Sequence, residues 1–371
     1  MLIQKNENRL SGEKCLQLNG IDYVELYVGN VRQAAHFYRT VFGFRPIAYA
    51  GLETGERDYI SLILEQGDIK LVLTGAFDSD SPIAEHIHLH GDGVKDIAFR
   101  VDDTVAIFNE TVARGAKPVL APTVIERNGK RLIKATIATY GDTVHSFIQY
   151  LDTDLIFFPN YSAIKSALQV TPIGISLIDH VAISLEIDQL TEWTNFYQQV
   201  FGFIEAHHED IATEYSSMNS RVVEDSTGLI KFVLLEPAEN RRKSQIEEYL
   251  MFYKGAGVQH IAFATSNIIE TTRALRDHDI EFLYIPPAYY DALQDRVGKI
   301  EEDISALRDL NILVDRDKWG YLMQVFTKPY NNRPTLFFEV IQRNKARCFG
   351  SGNIKALFQA LEREQALRGN L

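Results

Sequence analysis

Two histidines and a glutamate, His180, His260 and Glu339, lie on three separate strand-like runs of the second half of this 371-residue chain. His260 sits in Gly257-Val258-Gln259-His260-Ile261-Ala262-Phe263. An earlier twin, Gly93-Val94-Lys95-Asp96-Ile97-Ala98-Phe99, has an aspartate where the histidine stands. Two imidazoles and a carboxylate presented by different strands would form the facial triad of a mononuclear non-haem Fe(II) site, with three coordination positions left open for substrate and O₂. Glu339 is flanked by Phe337, Phe338, Val340 and Ile341, and a charge in such surroundings needs a partner or a metal. Histidines on apolar strands are more often hydrogen-bonded core groups than ligands, so from pattern alone both readings stand.

The elements that must position these groups come from an internal duplication. Ile21-Asp22-Tyr23-Val24 recurs as Ile178-Asp179-His180-Val181, each opening an alternating run. A helix follows both times, running into Phe37-Tyr38-Arg39-Thr40-Val41-Phe42-Gly43-Phe44 and Phe196-Tyr197-Gln198-Gln199-Val200-Phe201-Gly202-Phe203, with Gly43 and Gly202 placed to end it. The twin strands are each followed by a second helix, Asp103 to Arg114 and Asn267 to His278. Both halves close on strands, Thr143 to Tyr150 and Leu336 to Ile341. Each half therefore reads as a pair of βαβββ modules in an α+β fold, an open sheet curling into a half-barrel so that inward residues converge. The expected division is 1–155 for a first unit without metal ligands, 156–176 for a linker, and 177–371 for a catalytic unit. Aligning the copies puts Tyr23, Asp96 and Ser146 where the second half has His180, His260 and Glu339.

Composition excludes several classes. A net charge of −12 spread along the chain argues against a nucleic-acid surface. Hydrophobic residues make up 46% and charged residues 24%, as in ordinary globular proteins. Two cysteines, Cys15 and Cys348, offer no disulfide framework and fit a reducing cytoplasm. No run approaches the length of a membrane span, and Met1 to Leu10 lacks the apolar core of a secretion signal. His86, His88 and His90 alternate as on one strand face, in a polar stretch with no carboxylate evidently placed to join them; they are expected to be solvated. His207 and His208, beside Glu209 and Asp210, read as a surface charge cluster.

Along its whole length the chain resembles the 4-hydroxyphenylpyruvate dioxygenase and 4-hydroxymandelate synthase family of the vicinal-oxygen-chelate superfamily. The passages that carry the likeness are Lys243-Ser244-Gln245-Ile246, Gly255-Ala256-Gly257-Val258-Gln259-His260, Val314-Asp315-Arg316-Asp317, Gln324-Val325-Phe326-Thr327-Lys328-Pro329, Arg333-Pro334-Thr335-Leu336-Phe337-Phe338-Glu339, and the C-terminal run from Gly352 through Leu371. The resemblance implies Fe(II) held by His180, His260 and Glu339, an aryl α-keto acid and O₂ as substrates, a C-terminal helix over the site, and a homo-oligomer, dimer or tetramer. It also implies a substrate cavity lined by Ser220, Leu235, Gln245, Gln259, Gln324, Phe326, Phe338 and Ile354.

Two positions bear on the product. Homogentisate-forming members usually read Pro-(Leu/Ile)-Asn-Glu-Pro and Gly-Asn-Phe, where this chain has Val233-Leu234-Leu235-Glu236-Pro237 and Gly352-Asn353-Ile354. Aliphatic residues at both places resemble the 4-hydroxymandelate-forming branch. Against this, Thr327-Lys328-Pro329 and Glu362-Arg363-Glu364-Gln365 are closer to the dioxygenases, and Ile354 has the apolar helical spacing of a core residue. A homogentisate-forming dioxygenase is the alternative. An extradiol dioxygenase and a non-catalytic binding protein stand further off.

Overall fold

The computed structural model describes residues 15–127, 129–152, 157–164, 170–239 and 242–370. The first fourteen residues and part of the linker lie outside these.

Among the described residues, seventeen strands form two sheets. The first holds β1 (Ile21–Tyr27), β2 (Arg45–Ala50), β3 (Tyr59–Gln66), β4 (Ile69–Ala76), β5 (Gly93–Arg100), β6 (Pro118–Arg127), β7 (Lys130–Ala138), β8 (Val144–Tyr150) and the short β9 (Ser162–Ala163). The second holds β10 (Ile175–Ser184), β11 (Ile204–Ala212), β12 (Ser217–Glu224), β13 (Lys231–Ala238), β14 (Gly257–Thr265), β15 (Leu313–Arg316), β16 (Tyr321–Phe326) and β17 (Phe337–Asn344). Their spatial orders, β6-β7-β8-β5-β1-β4-β3-β2-β9 and β11-β12-β13-β10-β14-β17-β16-β15, are the same apart from β9. Each sheet is thus two βαβββ modules joined side by side, as the repeat predicts.

The helices end where the sequence says they should. Asn30, Asp103 and Asn267 cap the starts of helices Val31–Phe42, Thr104–Ala113 and Ile268–Asp277 through their side chains. Gly43 and Gly202 take left-handed conformations, φ 72° and 74°, at the ends of the paired helices. The second of these is not a copy of the first: helix Leu190–Phe196 widens into a π turn over Tyr197–Phe201.

One face of each sheet is buried against the other half. Phe42 and Phe44 meet Phe263 at ring separations of 6.2 and 6.1 Å, and Phe99 meets Phe201 at 5.8 Å, so the main core is shared. The opposite, concave faces hold separate clusters. The linker is more than a spacer. Phe157 and Phe158 fold into the first concavity against Tyr23, at 5.4 and 6.0 Å, and Ser162–Ala163 adds an edge strand to β2. No helix among the described residues is long and apolar enough to cross a membrane.

Candidate metal centre and its cavity

The strand register confirms the equivalence read from the repeat. His180 pairs with Ala262 as Tyr23 pairs with Ala98; His260 pairs with Ala182 as Asp96 pairs with Glu25; Glu339 lies beside Ala262 as Ser146 lies beside Ala98. Because β10, β14 and β17 are adjacent, three side chains far apart in sequence point at one spot. Glu339 Oε2 lies 3.1 Å from His180 Nε2 and 3.4 Å from His260 Nε2, with all three side chains buried.

Their hydrogen bonds decide what these atoms can do. Asp179 accepts from His180 Nδ1 at 2.9 Å and is itself gripped by Arg343 through two bonds of 2.7 and 2.8 Å. Burial works against the Asp179 charge, but Arg343 holds the carboxyl well below the usual range, so it accepts only. His260 Nδ1 donates to Gln259 Oε1 at 2.9 Å. With both Nδ1 atoms protonated by their partners, each neutral ring aims a bare Nε2 lone pair at a carboxylate oxygen. Lone pairs facing a carboxylate at this distance require a cation between them. Burial opposes ionisation of Glu339; with protons on the Nε2 atoms in the place of a metal ion, the His180 charge and the imidazole hydrogen bonds bring its pKa down to about 2. The same negative field from Glu339 and Asp179 raises the His180 pKa against its burial. The donor set and spacing fit a divalent metal of the facial-triad type.

β-bulges give the strands this reach. On β10 and β14 the register slips at Asp179 and again at Gln259. Each bulge lets two consecutive residues serve one centre, which strict alternation forbids. Glu339 Oε1 accepts from Gln324 Nε2 at 2.9 Å. Gln324 Oε1 accepts from Asn353 Nδ2 at 2.8 Å, and Asn353 Oδ1 from the Tyr289 hydroxyl at 2.7 Å. The C-terminal helix Ser351–Leu367 is therefore wired to Glu339 through two amides.

The cavity beside these ligands brings together Ser220, Leu235, Gln245, Gln259, Gln324, Phe326 and Ile354. Phe338 is a correction. One residue from Glu339 on β17, it points to the opposite face, 5.0 Å from Phe42 and 5.3 Å from Phe263 in the shared core. The ring on the ligand side is Phe337, stacked on His260 at 4.9 Å. The carboxamides are also more committed than their sequence positions imply: Gln259 joins His260 to Gln245, and Ser220 Oγ donates to the Glu209 carbonyl. Sequence reasoning missed Met218, Val222, Val233 and Phe349 as cavity walls, although Met218 and Val222 share the period-two face of Ser220 and Val233 that of Leu235. Leu357, Phe358 and Leu361 line it from the C-terminal helix, so the helical stripe that begins at Ile354 is cavity wall and core at once.

His86 and His90 also depart from expectation. They lie on a helix, Pro82–His90, and both are buried against the carboxylate of Asp142. His207 and His208 do pair with Glu209 and Asp210 on β11.

Comparison with known proteins places the fold. The chain matches the Glyoxalase/Bleomycin resistance protein/Dioxygenase superfamily over residues 20–137 and 177–325. It is 41% identical to a 4-hydroxyphenylpyruvate dioxygenase of Neurospora crassa, covering 98% of this chain and 95% of that one. It is 42% identical to one of Dictyostelium discoideum, covering 95% and 100%. A triple mutant of 4-hydroxymandelate synthase from Streptomyces coelicolor superposes with a TM-score of 0.87 at 39% identity, covering 94% of this chain and all of the other. The chain belongs to this superfamily and, within it, to the family that contains 4-hydroxyphenylpyruvate dioxygenases and 4-hydroxymandelate synthases.

Proposed function

We propose that the chain is an Fe(II)-dependent dioxygenase that oxidatively decarboxylates 4-hydroxyphenylpyruvate with O₂, and that its product is 4-hydroxymandelate. The observation that carries the chemistry is the convergence of two bare imidazole lone pairs and a buried carboxylate beside a largely apolar cavity. When bound there, ferrous ion supplies the open coordination positions and the redox capacity for activating O₂, while the keto acid contributes two further electrons.

The protein's own groups hold and orient. Asp179 with Arg343, and Gln259, fix the two rings so that only Nε2 faces the centre. Gln245 sits at the start of helix Gln245–Tyr253, and its amide nitrogen meets only the weak acceptor Met218 Sδ at 3.7 Å. Of the three cavity carboxamides it has the most hydrogen-bonding capacity to spare, and it takes the substrate's phenol. Phe326, which lines the cavity in edge contact with His260, confines the aromatic ring. The C-terminal helix keeps water out with Ile354, Leu357, Phe358 and Leu361.

Product choice rests on Leu235 and Ile354, which line the same cavity and join one apolar cluster. Neither offers a polar group nor an aromatic face to hold the ring. The benzylic carbon, rather than ring C1, then meets the oxidant, and a displacement of about 1 Å at a reacting centre is enough to redirect a reaction. Homogentisate formation is the second reading, favoured by the names of the fungal and Dictyostelium relatives. Chromatography of a reaction with Fe(II), ascorbate, O₂ and 4-hydroxyphenylpyruvate separates them: 4-hydroxymandelate is expected, and a clean homogentisate peak would refute the product assignment. Leu235→Asn combined with Ile354→Phe is expected to move product toward homogentisate; an unchanged ratio would remove these side chains from the explanation.

A further inference from the structure

The first half contains a second cluster with two imidazoles and a carboxylate. His86 and His90, one helical turn apart, are 3% and 4% exposed. Asp142, in the turn between β7 and β8, brings its Oδ2 to 2.8 Å from His86 Nδ1 and 3.3 Å from His90 Nε2. These separations are close to the 3.1 and 3.4 Å of the His180–His260–Glu339 centre. A pair of histidines at i and i+4 on one helical face is a metal-chelating arrangement, and donor atoms some 2.0–2.2 Å from a common zinc ion stand about this far apart.

Hydrogen bonding leaves one imidazole nitrogen facing the carboxylate without a hydrogen-bond partner. His90 Nδ1 donates to the carbonyl of Tyr253, at the end of helix Gln245–Tyr253 in the other half. Its Nε2 then carries a bare lone pair, buried, without a hydrogen-bond donor, and aimed at the Asp142 carboxylate. A backbone carbonyl that fixes the tautomer of a ring is the outer support a ligating histidine needs. Asp142 is 41% exposed at its side chain, which gives an ion a route from solvent. Opposing the site is Lys95, whose ammonium donates to the Asp142 carbonyl and lies 3.6 Å from Oδ2. Its side chain is 22% exposed, at the solvent edge of the cluster.

We infer that His86, His90 and Asp142 bind a divalent transition metal of the zinc class, which fastens the first half to the helix whose opposite end, at Gln245, lines the cavity. The site does not depend on the dioxygenase assignment, since it shares no ligand with that centre.

Calorimetric titration of chelator-stripped protein with Zn²⁺ tests it. The Glu339→Ala chain, with the other centre disabled, is expected to bind one equivalent. Adding His90→Gln is expected to weaken that binding by at least ~100-fold, the upper end of what even outer-sphere partners contribute. Adding Lys95→Met instead is expected to tighten it several-fold by removing the competing charge, a gain that a merely damaged fold would not produce. Should Glu339→Ala not fold, the unaltered chain is expected to take two equivalents, and one after His90→Gln. Absence of the second equivalent, or binding indifferent to His90→Gln, would overturn the inference and leave a proton on His90 as the bridge to Asp142.

Discussion

The two concave faces of this molecule pose the same electrostatic problem and answer it differently. At the positions of His180, His260 and Glu339, the first half has Tyr23, Asp96 and Ser146. The Tyr23 hydroxyl donates to Asp96 at 3.0 Å, Ser146 at 2.6 Å, and Lys134 Nζ lies 3.3 Å from the same oxygen. Lys134 pairs with Ile148 on β8 as Gln324 pairs with Ile341 on β17, so lysine and glutamine occupy one structural position. In the first half the required cation is covalently attached. In the second that position holds a neutral amide, and the positive charge must come from outside. Phe157 and Phe158 then fill the first concavity, over which Lys134 also lies, whereas the C-terminal helix roofs the second while leaving a cavity. On the function proposed above, a metal centre would arise here by the removal of one internal cation as much as by the gain of three ligands.

Converting one answer into the other gives the largest expected effect. Gln324→Lys should place an ammonium against Glu339 and lower iron affinity by roughly a thousandfold, because a fixed charge then satisfies the carboxylate. Iron content after anaerobic reconstitution measures it, with circular dichroism to show that the fold survives; undiminished iron would break the equivalence. The reverse change, Lys134→Met, strands the buried Asp96 carboxylate and should lower stability by about 3–4 kcal/mol in urea unfolding at neutral pH. A loss under about 1 kcal/mol would mean that Tyr23 and Ser146 suffice without the cation.

A smaller effect concerns the seam between the halves. His145 donates from Nδ1 to the Ile97 carbonyl at 3.0 Å and accepts at Nε2 from the Tyr197 hydroxyl at 2.9 Å. Burial pushes its pKa down to about 4 from an ordinary 6.5. The unfolded chain therefore binds the proton first. The contribution of the neutral ring is complete above pH 6.5 and is lost as pH falls from 6.5 toward 4, about 3 kcal/mol in all. Urea midpoints across that range should drop, and His145→Gln should flatten the slope; an unchanged slope would assign the drop to other groups. The smallest change is Asp179→Asn, which removes the charge orienting His180 and should weaken iron binding about 10–100-fold. No change in affinity would mean that Arg343 and Asp179 serve packing alone.

Much of this was legible in the residues because the repeat supplies its own control. Differences between aligned copies marked His180, His260 and Glu339, and helix stops such as Gly43 and Gly202 are local signals. What escaped was long-range or depended on register. His86, His88 and His90 share a strand period while His86 and His90 alone also satisfy a helical one, and Asp142, which joins those two, lies 56 residues from His86. Phe338 was assigned to the cavity on a shared motif, though alternation puts it opposite Glu339. Gln259 and Asp179 reach their histidines only through bulges, which no simple periodicity announces. The opposition of Lys134 and Gln324 became visible only with the strand pairing.

The central claim is that His180, His260 and Glu339 bind the ion on which the reaction depends. Anaerobic titration with Fe(II) followed by 4-hydroxyphenylpyruvate tests it most directly. The unaltered chain should develop a metal-to-ligand charge-transfer band that saturates at one iron per chain, and a folded Glu339→Ala variant should lose it. A band of equal strength in that variant, or none in the unaltered protein, would contradict the account.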